Sequence, residues 1–312
     1  MKKILLYTSI ALALLYIVRE LEYIGIRKNK SGEFAKLRQS FEEANNFDIL
    51  VIGSSRAEGQ FYTPIIDSAN QLHTFNIGIA GATMPLFCTE LEAYLVHSKA
   101  PKYVILNLDL HTFNGNSDTI YNFPRYFPYL DNPELYAGLC ERDKRFPYFK
   151  YLSFYSMPYF KARYLNAALR GWFNKPGKYD SDYVNGFAPA VTTIDQGDLD
   201  TVKITSYASN PQPLIWASFQ HIQDICQSKG IKLIVVLAPI FHRAEEAVVN
   251  YNSLISEFQQ YAQKRGLPFI NMAHDSIQFR KELFIDPFHM NIKGAKVFTR
   301  LFSLELAQYI KP

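Results

Sequence analysis

The chain has 312 residues, of which 48% are hydrophobic, 15% aromatic and 20% charged, and its formal net charge is +4. This length and apolar content predict one large domain or two small ones around a substantial core, which excludes a largely disordered protein. The charge is mild and the sequence has no long basic run, so we expect no nucleic-acid partner.

The sequence gives no sign of a metal or cofactor site. Its three cysteines, Cys88, Cys140 and Cys226, are widely spaced and form no CxxC motif, so they are interpreted as buried thiols and not as zinc ligands. Neither an HExxH motif nor a glycine-rich phosphate loop occurs in the sequence. We therefore expect no metal and no cofactor.

The N-terminus, MKKILLYTSIALALLYIVRE, contains an uncharged run over residues 4–18. A helix of this length spans about 22 Å, short of a ~30 Å hydrocarbon core, although Lys3 and Arg19 at its ends can reach toward the headgroups. No small-residue cleavage site follows the run. We favour an uncleaved signal anchor over residues 1–20, with a cleaved signal peptide or a buried helix as alternatives. The two N-terminal lysines then predict a body on the extracytoplasmic, periplasmic side of the cell membrane.

A linker over residues 21–46 contains Phe34, Leu37 and Phe41 at helical spacing, which predicts a short amphipathic helix on the edge of the domain. From residue 47 onward, strand-like apolar runs alternate with helical patterns. This alternation predicts an α/β protein, a three-layer, flavodoxin-like α/β/α sandwich with a central parallel sheet. Strands are predicted over 49–52, 73–81, 102–110, 231–239 and 267–273, and helices over 83–98, 211–229, 245–265 and 293–310.

Residues 113–210 interrupt this alternation with a stretch dense in Tyr, Phe and Pro. Two compatible interpretations are an insertion with its own aromatic core and a cap whose aromatic faces cover an active site. The predicted organisation is therefore an anchor, a linker, and a catalytic domain over 47–312 that carries this helical insertion.

Two short motifs carry candidate chemistry. Gly53-Ser54-Ser55-Arg56 follows the first strand, and Asp286 and His289 precede the last helix. Residues three apart across a turn lie on one side, so the carboxylate can accept a hydrogen bond from one imidazole nitrogen and leave the other as a base. Ligands bind beyond the carboxyl ends of parallel strands, and both motifs are expected at that edge of the sheet.

These motifs resemble the blocks of the SGNH/GDSL hydrolase superfamily. Gly53-Ser54-Ser55 is similar to its first block, Asn76-Ile-Gly78-Ile-Ala-Gly81 to its second, and the Asp286/His289 motif to its last. The resemblance implies a Ser55 nucleophile activated by His289 and Asp286. It also implies an oxyanion hole formed by the backbone N–H groups of Ser55 and Gly81.

The third block departs from the family pattern. The family has Gly-x-Asn-Asp, whereas this chain has Asp109-Leu-His111-Thr. His111 falls near the position of the asparagine, so it is a candidate oxyanion donor; a hole with two backbone donors and a purely structural histidine are the alternatives. Arg56, Asn76 and Asp109 are candidate substrate-binding residues, although Arg56 could instead pair with Glu58 or Asp109.

With the N-terminal anchor, the resemblance narrows to a membrane-anchored branch that includes proteins of teichoic-acid D-alanylation and alginate acetylation. It implies an extracytoplasmic serine esterase or O-acyltransferase that acts on acyl esters of cell-envelope polysaccharide, with an acylated saccharide as substrate and a multispanning membrane O-acyltransferase as a candidate partner. Two alternatives stay open. One is a non-catalytic envelope protein that binds a glycan or an acyltransferase, and the other is an esterase acting on lipids.

Overall fold

A computed structural model of the chain describes residues 1–110, 120–178, 183–189 and 213–310. Five strands are present: β1 Ile49–Ile52, β2 Thr74–Asn76, β3 Tyr103–Asn107, β4 Lys232–Leu237 and β5 Phe269–Asn271. The described helices are α1 Lys2–Arg27, α2 Gly32–Phe41, α3 Ser55–Gln60, α4 Thr63–Asn70, α5 Met84–His97, α6 Pro133–Arg142, α7 Phe146–Tyr151, α8 Ser153–Ser156, α9 Ala162–Trp172, α10 Pro213–Ser228, α11 His242–Ala247, α12 Tyr251–Lys264 and α13 Ile292–Leu306. Short 3₁₀ segments cover Phe123–Tyr129, Met157–Tyr159, Ser276–Phe279 and Lys281–Leu283.

The strands form one parallel sheet in the order β2-β1-β3-β4-β5. This order confirms the predicted α/β class and flavodoxin-like sandwich. The chain leaves β1 toward β2 on one side and continues through β3 on the other, so the strand order reverses between β1 and β3. A crevice opens beyond the carboxyl ends of strands at such a reversal, and ligands bind there.

Apolar cores cover both faces of the sheet. In β1, Leu50 and Ile52 belong to one core cluster and Ile49 and Val51 to the other, because successive side chains of a strand point to opposite faces. Helices α2, α5, α10 and α12 contribute to the first cluster, and α3, α4 and α13 to the second. Burial on both faces explains why the strands are continuous apolar runs without polar alternation.

Helix α1 is longer than the predicted anchor. It runs without a break through residue 20, where the sequence suggested a change from anchor to linker, and its last part contains the buried residues Arg19, Tyr23, Gly25 and Ile26. Its first part is exposed, and the helix is long and apolar enough to cross a membrane. Helix α2 follows as predicted, with Phe34, Leu37 and Phe41 buried.

Residues 120–178 of the insertion contain an aromatic cluster that is continuous with the first core cluster of the sheet. Phe123 stacks on Phe149 with ring centroids 5.3 Å apart, and Phe127 and Phe146 pack against the same ring. The core extends to α1, since Phe160 contacts Tyr23. These residues therefore form an aromatic core, as the first interpretation expected, but this core is joined to that of the sheet and is not separate.

Most predicted elements differ from the observed ones at their ends, and two differ more strongly. The second strand ends at Asn76, whose side chain accepts a hydrogen bond from the amide of Gly78 (2.9 Å). The chain nevertheless stays beside β1, since the amides of Ile77 and Ile79 donate to the carbonyl oxygens of Val51 and Gly53. The helix predicted over 245–265 is divided into α11 and α12. Two β-branched valines and Asn250 lie between them, residue types that disfavour a helix interior.

Candidate active site

The site begins at the sharp turn from β1 into α3. Gly53 has φ +147°, a conformation that side chains rarely adopt, and a Cβ at this position would lie 2.7 Å from the Cβ of Ala57 and 3.0 Å from the carbonyl oxygen of Asn107. Glycine is required here because both the backbone conformation and the close packing exclude a side chain. The turn brings two consecutive serines to the start of α3.

The two serines have different surroundings. Ser54 is fully buried, its Oγ donates a hydrogen bond to Asp109 Oδ2, and it accepts one from the amide of Arg56 at 3.4 Å as the N-cap of α3. The Oγ of Ser55 lies 2.8 Å from Nε2 of His289 and borders a cavity. Of the two hydroxyls, the one in contact with an imidazole is therefore that of Ser55.

His289 is held by Asp286. Its Nδ1 lies 2.8 Å from Oδ2 and 2.9 Å from Oδ1 of the Asp286 carboxylate, which also accepts hydrogen bonds from the amides of Phe288 and His289 at 2.8 Å each. Burial raises the pKa of Asp286, but the hydrogen bonds from the His289 ring and these two amides outweigh it, so the pKa lies below its usual value.

The hydrogen bonds fix the roles of the ring nitrogens. An ionised carboxylate only accepts hydrogen bonds, so Nδ1 of His289 carries a proton and donates it to Asp286. Nε2 of the neutral ring then has a free lone pair that accepts from the Ser55 hydroxyl. This serine–histidine–aspartate chain has the connections of a hydrolytic triad.

A buried ion pair supports the same edge of the sheet. Arg56 Nη1 lies 3.0 Å from Asp109 Oδ1, and the two side chains are 5% and 1% exposed. Arg56 also donates to the carbonyl oxygens of Ala238 (2.5 Å) and Pro239 (3.1 Å). The pair thus connects the loops after β1, β3 and β4, and Arg56 pairs with Asp109 and not with Glu58.

Asn76 does not take part in the cavity. Its side chain is fully buried, donates to the carbonyl oxygen of Ala57 at 2.7 Å and accepts from the amide of Gly78. Because both ends of the amide are used within the protein, the structure argues against the prediction that Asn76 binds substrate. Arg56 and Asp109 do line the cavity, although the bonds described above already engage them.

The glycine loop after β2 is fixed by a lysine that sequence reasoning missed. Nζ of Lys36, on α2, donates to the carbonyl oxygen of Gly78 and lies 3.0 Å from Oε1 of Glu58. The other carboxylate oxygen of Glu58 accepts from the amide of Ala80 at 3.0 Å. Lys36 adjoins Leu37, a core residue of the amphipathic helix, but nothing in the local sequence indicates its distant partners.

Two of the three predicted oxyanion donors, the backbone amides of Ser55 and Gly81, lie within the described residues. Within the described residues, neither the amide of Ser55 nor that of Gly81 donates a hydrogen bond to another protein group. Gly81 lies against the ring of Tyr121, in the loop that Lys36 holds through Gly78. His111, the third candidate donor, lies outside the described residues.

The cavity has a volume of about 330 Å³ and combines the polar groups with an apolar wall. Its described lining consists of Ser55, Arg56, Asp109, Leu110, Ile240, Phe288 and His289. No described residue of the insertion belongs to this lining. Among the described residues, no cluster of three His, Cys, Asp or Glu side chains is arranged to hold a metal ion.

Comparison with known proteins gives distant structural likenesses. No protein-family model matches the chain, and no curated protein is significantly similar to it in sequence. Similar solved structures include a protein described as an acylhydrolase from Bacteroides fragilis, with 12% identity and a TM-score of 0.45, covering 89% of this chain and 96% of the other. Another is a GDSL-like lipase from Bacteroides thetaiotaomicron, with 13% identity and a TM-score of 0.40, covering 84% and 88% respectively.

Proposed function

We propose that the protein is a serine esterase or O-acyltransferase that acts on acyl esters of a cell-envelope polysaccharide. The observation that carries the proposal is the contact of 2.8 Å between Ser55 Oγ and His289 Nε2, with Asp286 on the opposite ring nitrogen. A serine hydroxyl becomes a strong nucleophile when an oriented imidazole accepts its proton, and the third group orients the imidazole.

In the first half of the reaction, the Ser55 hydroxyl passes its proton to Nε2 of His289 while Oγ attacks the carbonyl carbon of the ester. The carbonyl electron pair moves onto its oxygen, and the carboxylate of Asp286 stabilises the imidazolium. When the tetrahedral intermediate collapses, the alcohol leaves with the proton from His289, and Ser55 is acylated. Water or an acceptor hydroxyl then enters, loses its proton to Nε2 and releases the acyl group from Ser55 by the reverse steps.

The negative oxygen of the intermediate requires donors. The backbone amides of Ser55 and Gly81 are the proposed ones, since neither is engaged by another described residue. One such donor contributes on the order of 3 kcal/mol to the stabilisation of the transition state. The ion pair of Arg56 with Asp109 and the contacts of Lys36 keep the two donor loops in place.

The substrate class is inferred from the cavity and from α1. A cavity of about 330 Å³ with Leu110, Ile240 and Phe288 on its wall suits a short acyl group and part of an alcohol. A membrane-spanning α1 would keep the site near the cell envelope, where acylated polysaccharides are available. The size of the cavity favours a short-chain ester over a long-chain lipid ester, whereas such an α1 would bring the site near polysaccharides and lipids alike. A membrane O-acyltransferase is the proposed source of the acyl group.

The proposal is tested with the full-length protein in detergent. We expect Ser55→Ala to abolish labelling by a fluorophosphonate probe and to lower the turnover of aryl acetates by at least a thousandfold. The matched control is Ser54→Ala, which keeps the nucleophile and should still be labelled. Full labelling of Ser55→Ala together with an unlabelled Ser54→Ala would show that the nucleophile is Ser54 and that the proposal is wrong.

A second measurement separates a hydrolase from a transferase. The acylated enzyme is formed from an aryl acetate and incubated with a soluble polysaccharide, and acetate release and polysaccharide acetylation are both measured by mass spectrometry. Dominant transfer identifies an O-acyltransferase and dominant acetate an esterase. If wild type and Ser55→Ala are equally inert in both assays while a glycan still binds, a non-catalytic glycan-binding role is the better account.

A further inference from the structure

Solvent-exposed apolar side chains lie around the C-terminal part of α1, near residues 19–25. Helix α9 carries Leu165, Leu169 and Trp172 at spacings of four and three residues, so they lie on one face, and they are 54%, 48% and 41% exposed. Phe173 follows them, 69% exposed, and Tyr151 and Phe154 on α7 and α8 are exposed as well. We call these six residues the apolar collar.

A helix on the surface of a protein in water normally turns its polar face outward. Helix α9 is apolar on two faces. Its buried residues, Tyr164, Ala167, Ala168 and Gly171, pack inward, and a Cβ on Gly171 would collide with the carbonyl oxygen of Gly25 in α1. The outward apolar face of α9 is thus rigidly fixed beside α1.

The residues of the apolar collar lie on two sides of α1. On one side, the indole Nε1 of Trp172 donates to the carbonyl oxygen of Leu21 at 2.9 Å. On the other, Arg19 donates to the carbonyl oxygen of Lys150 at 2.9 Å, and Tyr151 shares a hollow with Tyr16. A bilayer that contains the first part of α1 must therefore meet α7, α8 and α9.

The length of α1 sets how deep this contact lies. Residues 4–18 rise about 22 Å, which leaves several ångströms of a ~30 Å hydrocarbon core to be filled. Arg19 and Glu20 follow the apolar run and pair with each other at 2.7 Å. Continuing the helix through this pair to Leu21 adds about 4.5 Å, and this is the level at which Trp172 is bonded. Trp172 thus falls where the hydrocarbon meets the headgroups, a depth at which tryptophan is enriched in membrane proteins.

Basic residues lie next to the collar on the side away from the apolar span. Lys28, Lys30, Arg170 and Lys175 line one small hollow, and the ammonium of Lys28 lies 3.7 Å from the centroid of the Trp172 ring. An apolar band followed by a basic one matches the order of acyl chains and anionic headgroups in a bilayer.

We infer that the apolar collar and its basic neighbours dock on the surface of an anionic lipid bilayer, so that the insertion holds the catalytic domain at a fixed orientation to the membrane. The inference rests on a membrane-spanning α1, and it is independent of the chemistry proposed for Ser55. It also gives the aromatic insertion a role that does not require it to cover the cavity.

The two tryptophans of the chain, Trp172 and Trp216, make a direct test possible. Full-length protein is reconstituted into vesicles of phosphatidylcholine and phosphatidylglycerol, with or without lipids brominated near the headgroup. Trp216→Phe leaves Trp172 as the only tryptophan, and we expect brominated lipid to reduce its fluorescence at least twofold. Trp172→Phe is the matched control, since Trp216 stacks on Tyr261 in the body, with ring centroids 4.2 Å apart, and should be unaffected.

Each result decides the inference. Suppose that the vesicles retain the protein, but the fluorescence of Trp172 is quenched by aqueous iodide and not by brominated lipid. The anchor is then intact and the collar faces water, where a protein partner could bind it. This outcome would show that the inference is wrong. Charge reversal at Lys28 and Lys175 (K28E/K175E) should reduce the quenching of Trp172 in anionic vesicles and not in neutral ones. Hydrolysis of a soluble aryl acetate should be equal in all these variants, which separates this test from that of Ser55.

Discussion

Ser54 and Ser55 are neighbours in one turn, yet each begins a different series of hydrogen-bonded side chains. We call Ser55, His289 and Asp286 the exposed chain, and Ser54, Asp109 and Arg56 the buried chain. Ser55 leads through His289 to Asp286. The side chains of His289 and Asp286 are 30% and 24% exposed, and Ser55 and His289 line the cavity. Ser54 leads to Asp109 and Arg56, whose side chains are 1% and 5% exposed. In the proposed function the exposed chain exchanges a proton with a substrate. The buried chain also reaches the cavity through Arg56 and Asp109, but it keeps these two opposite charges bonded to each other with very little exposure and connects three loops.

The comparison is tested most strongly by removing the acid of each chain. In the exposed chain, Asp286→Asn should lower the kcat for aryl acetates by about 10³- to 10⁴-fold, because an amide no longer selects the tautomer in which Nε2 of His289 can accept a proton. The melting temperature should change little, since the site is partly exposed. Steady-state kinetics and thermal unfolding of the same preparation measure both effects, and a kcat within tenfold of wild type would contradict the assigned role.

In the buried chain, Asp109→Asn should act on stability. It leaves the guanidinium of Arg56 without its carboxylate, and breaking one half of a buried ion pair destabilises a protein by about 3–5 kcal/mol. Denaturant unfolding measures this loss, while kcat per folded molecule should stay within about tenfold.

The matched control replaces both partners, Arg56→Met with Asp109→Leu, and should recover much of the lost stability because no charge remains unpaired. A stable but inactive Asp109→Asn variant would instead place Asp109 in the chemistry and remove the distinction between the two chains.

The sequence predicts the exposed chain better than the buried one. Ser55 and the Asp286/His289 motif are recognisable because each has a local pattern, and the parallel-sheet rule brings their ends together. The pairing of Arg56 with Asp109 was only one of two alternatives, since either acid was within reach. The contacts of Lys36 and the close packing of α1 on α9 depend on tertiary arrangement, which a local pattern does not encode. For Asn76 the local pattern suggested too much: its match to a family block led to a prediction of substrate contact, whereas the structure has a buried amide that bonds within the protein.

A smaller effect is expected from Lys36, which supports the loop that contains Gly81. Lys36→Met removes the donor to Gly78 and the partner of Glu58, so the loop should lose its fixed position. If Gly81 supplies an oxyanion donor, kcat should fall by about tenfold with little change in KM, since the donor acts mainly in the transition state. Hydrogen exchange over residues 78–82 should increase in parallel. Faster exchange with an unchanged kcat would remove Gly81 from the proposed hole.

The smallest expected effect concerns Glu90, a second buried carboxyl group, which unlike Asp109 has no guanidinium bonded to it among the described residues. It is fully buried, Tyr126 donates to its Oε1 at 2.9 Å, and its Oε2 has no hydrogen-bond partner among the described residues. Burial raises the pKa of Glu90 from 4.5 to about 8, although the hydrogen bond from Tyr126 and the charges of Lys36 and Arg125 oppose the shift. At neutral pH the folded protein therefore keeps Glu90 protonated.

The raised pKa of Glu90 fixes the sign of a pH effect. Below pH 4.5 both the folded and the unfolded chain hold the proton, but between pH 4.5 and about 8 the unfolded chain releases it, so the stability from this group falls as pH rises through that window. Glu90→Gln mimics the protonated acid and should remove this loss, so its melting temperature should exceed that of wild type by a few degrees at pH 8 and by almost nothing at pH 4.5. Thermal unfolding at both pH values measures the difference. A constant difference would mean that Glu90 is ionised in the fold, and then a buried carboxylate in this protein would not need the close guanidinium partner that Asp109 has.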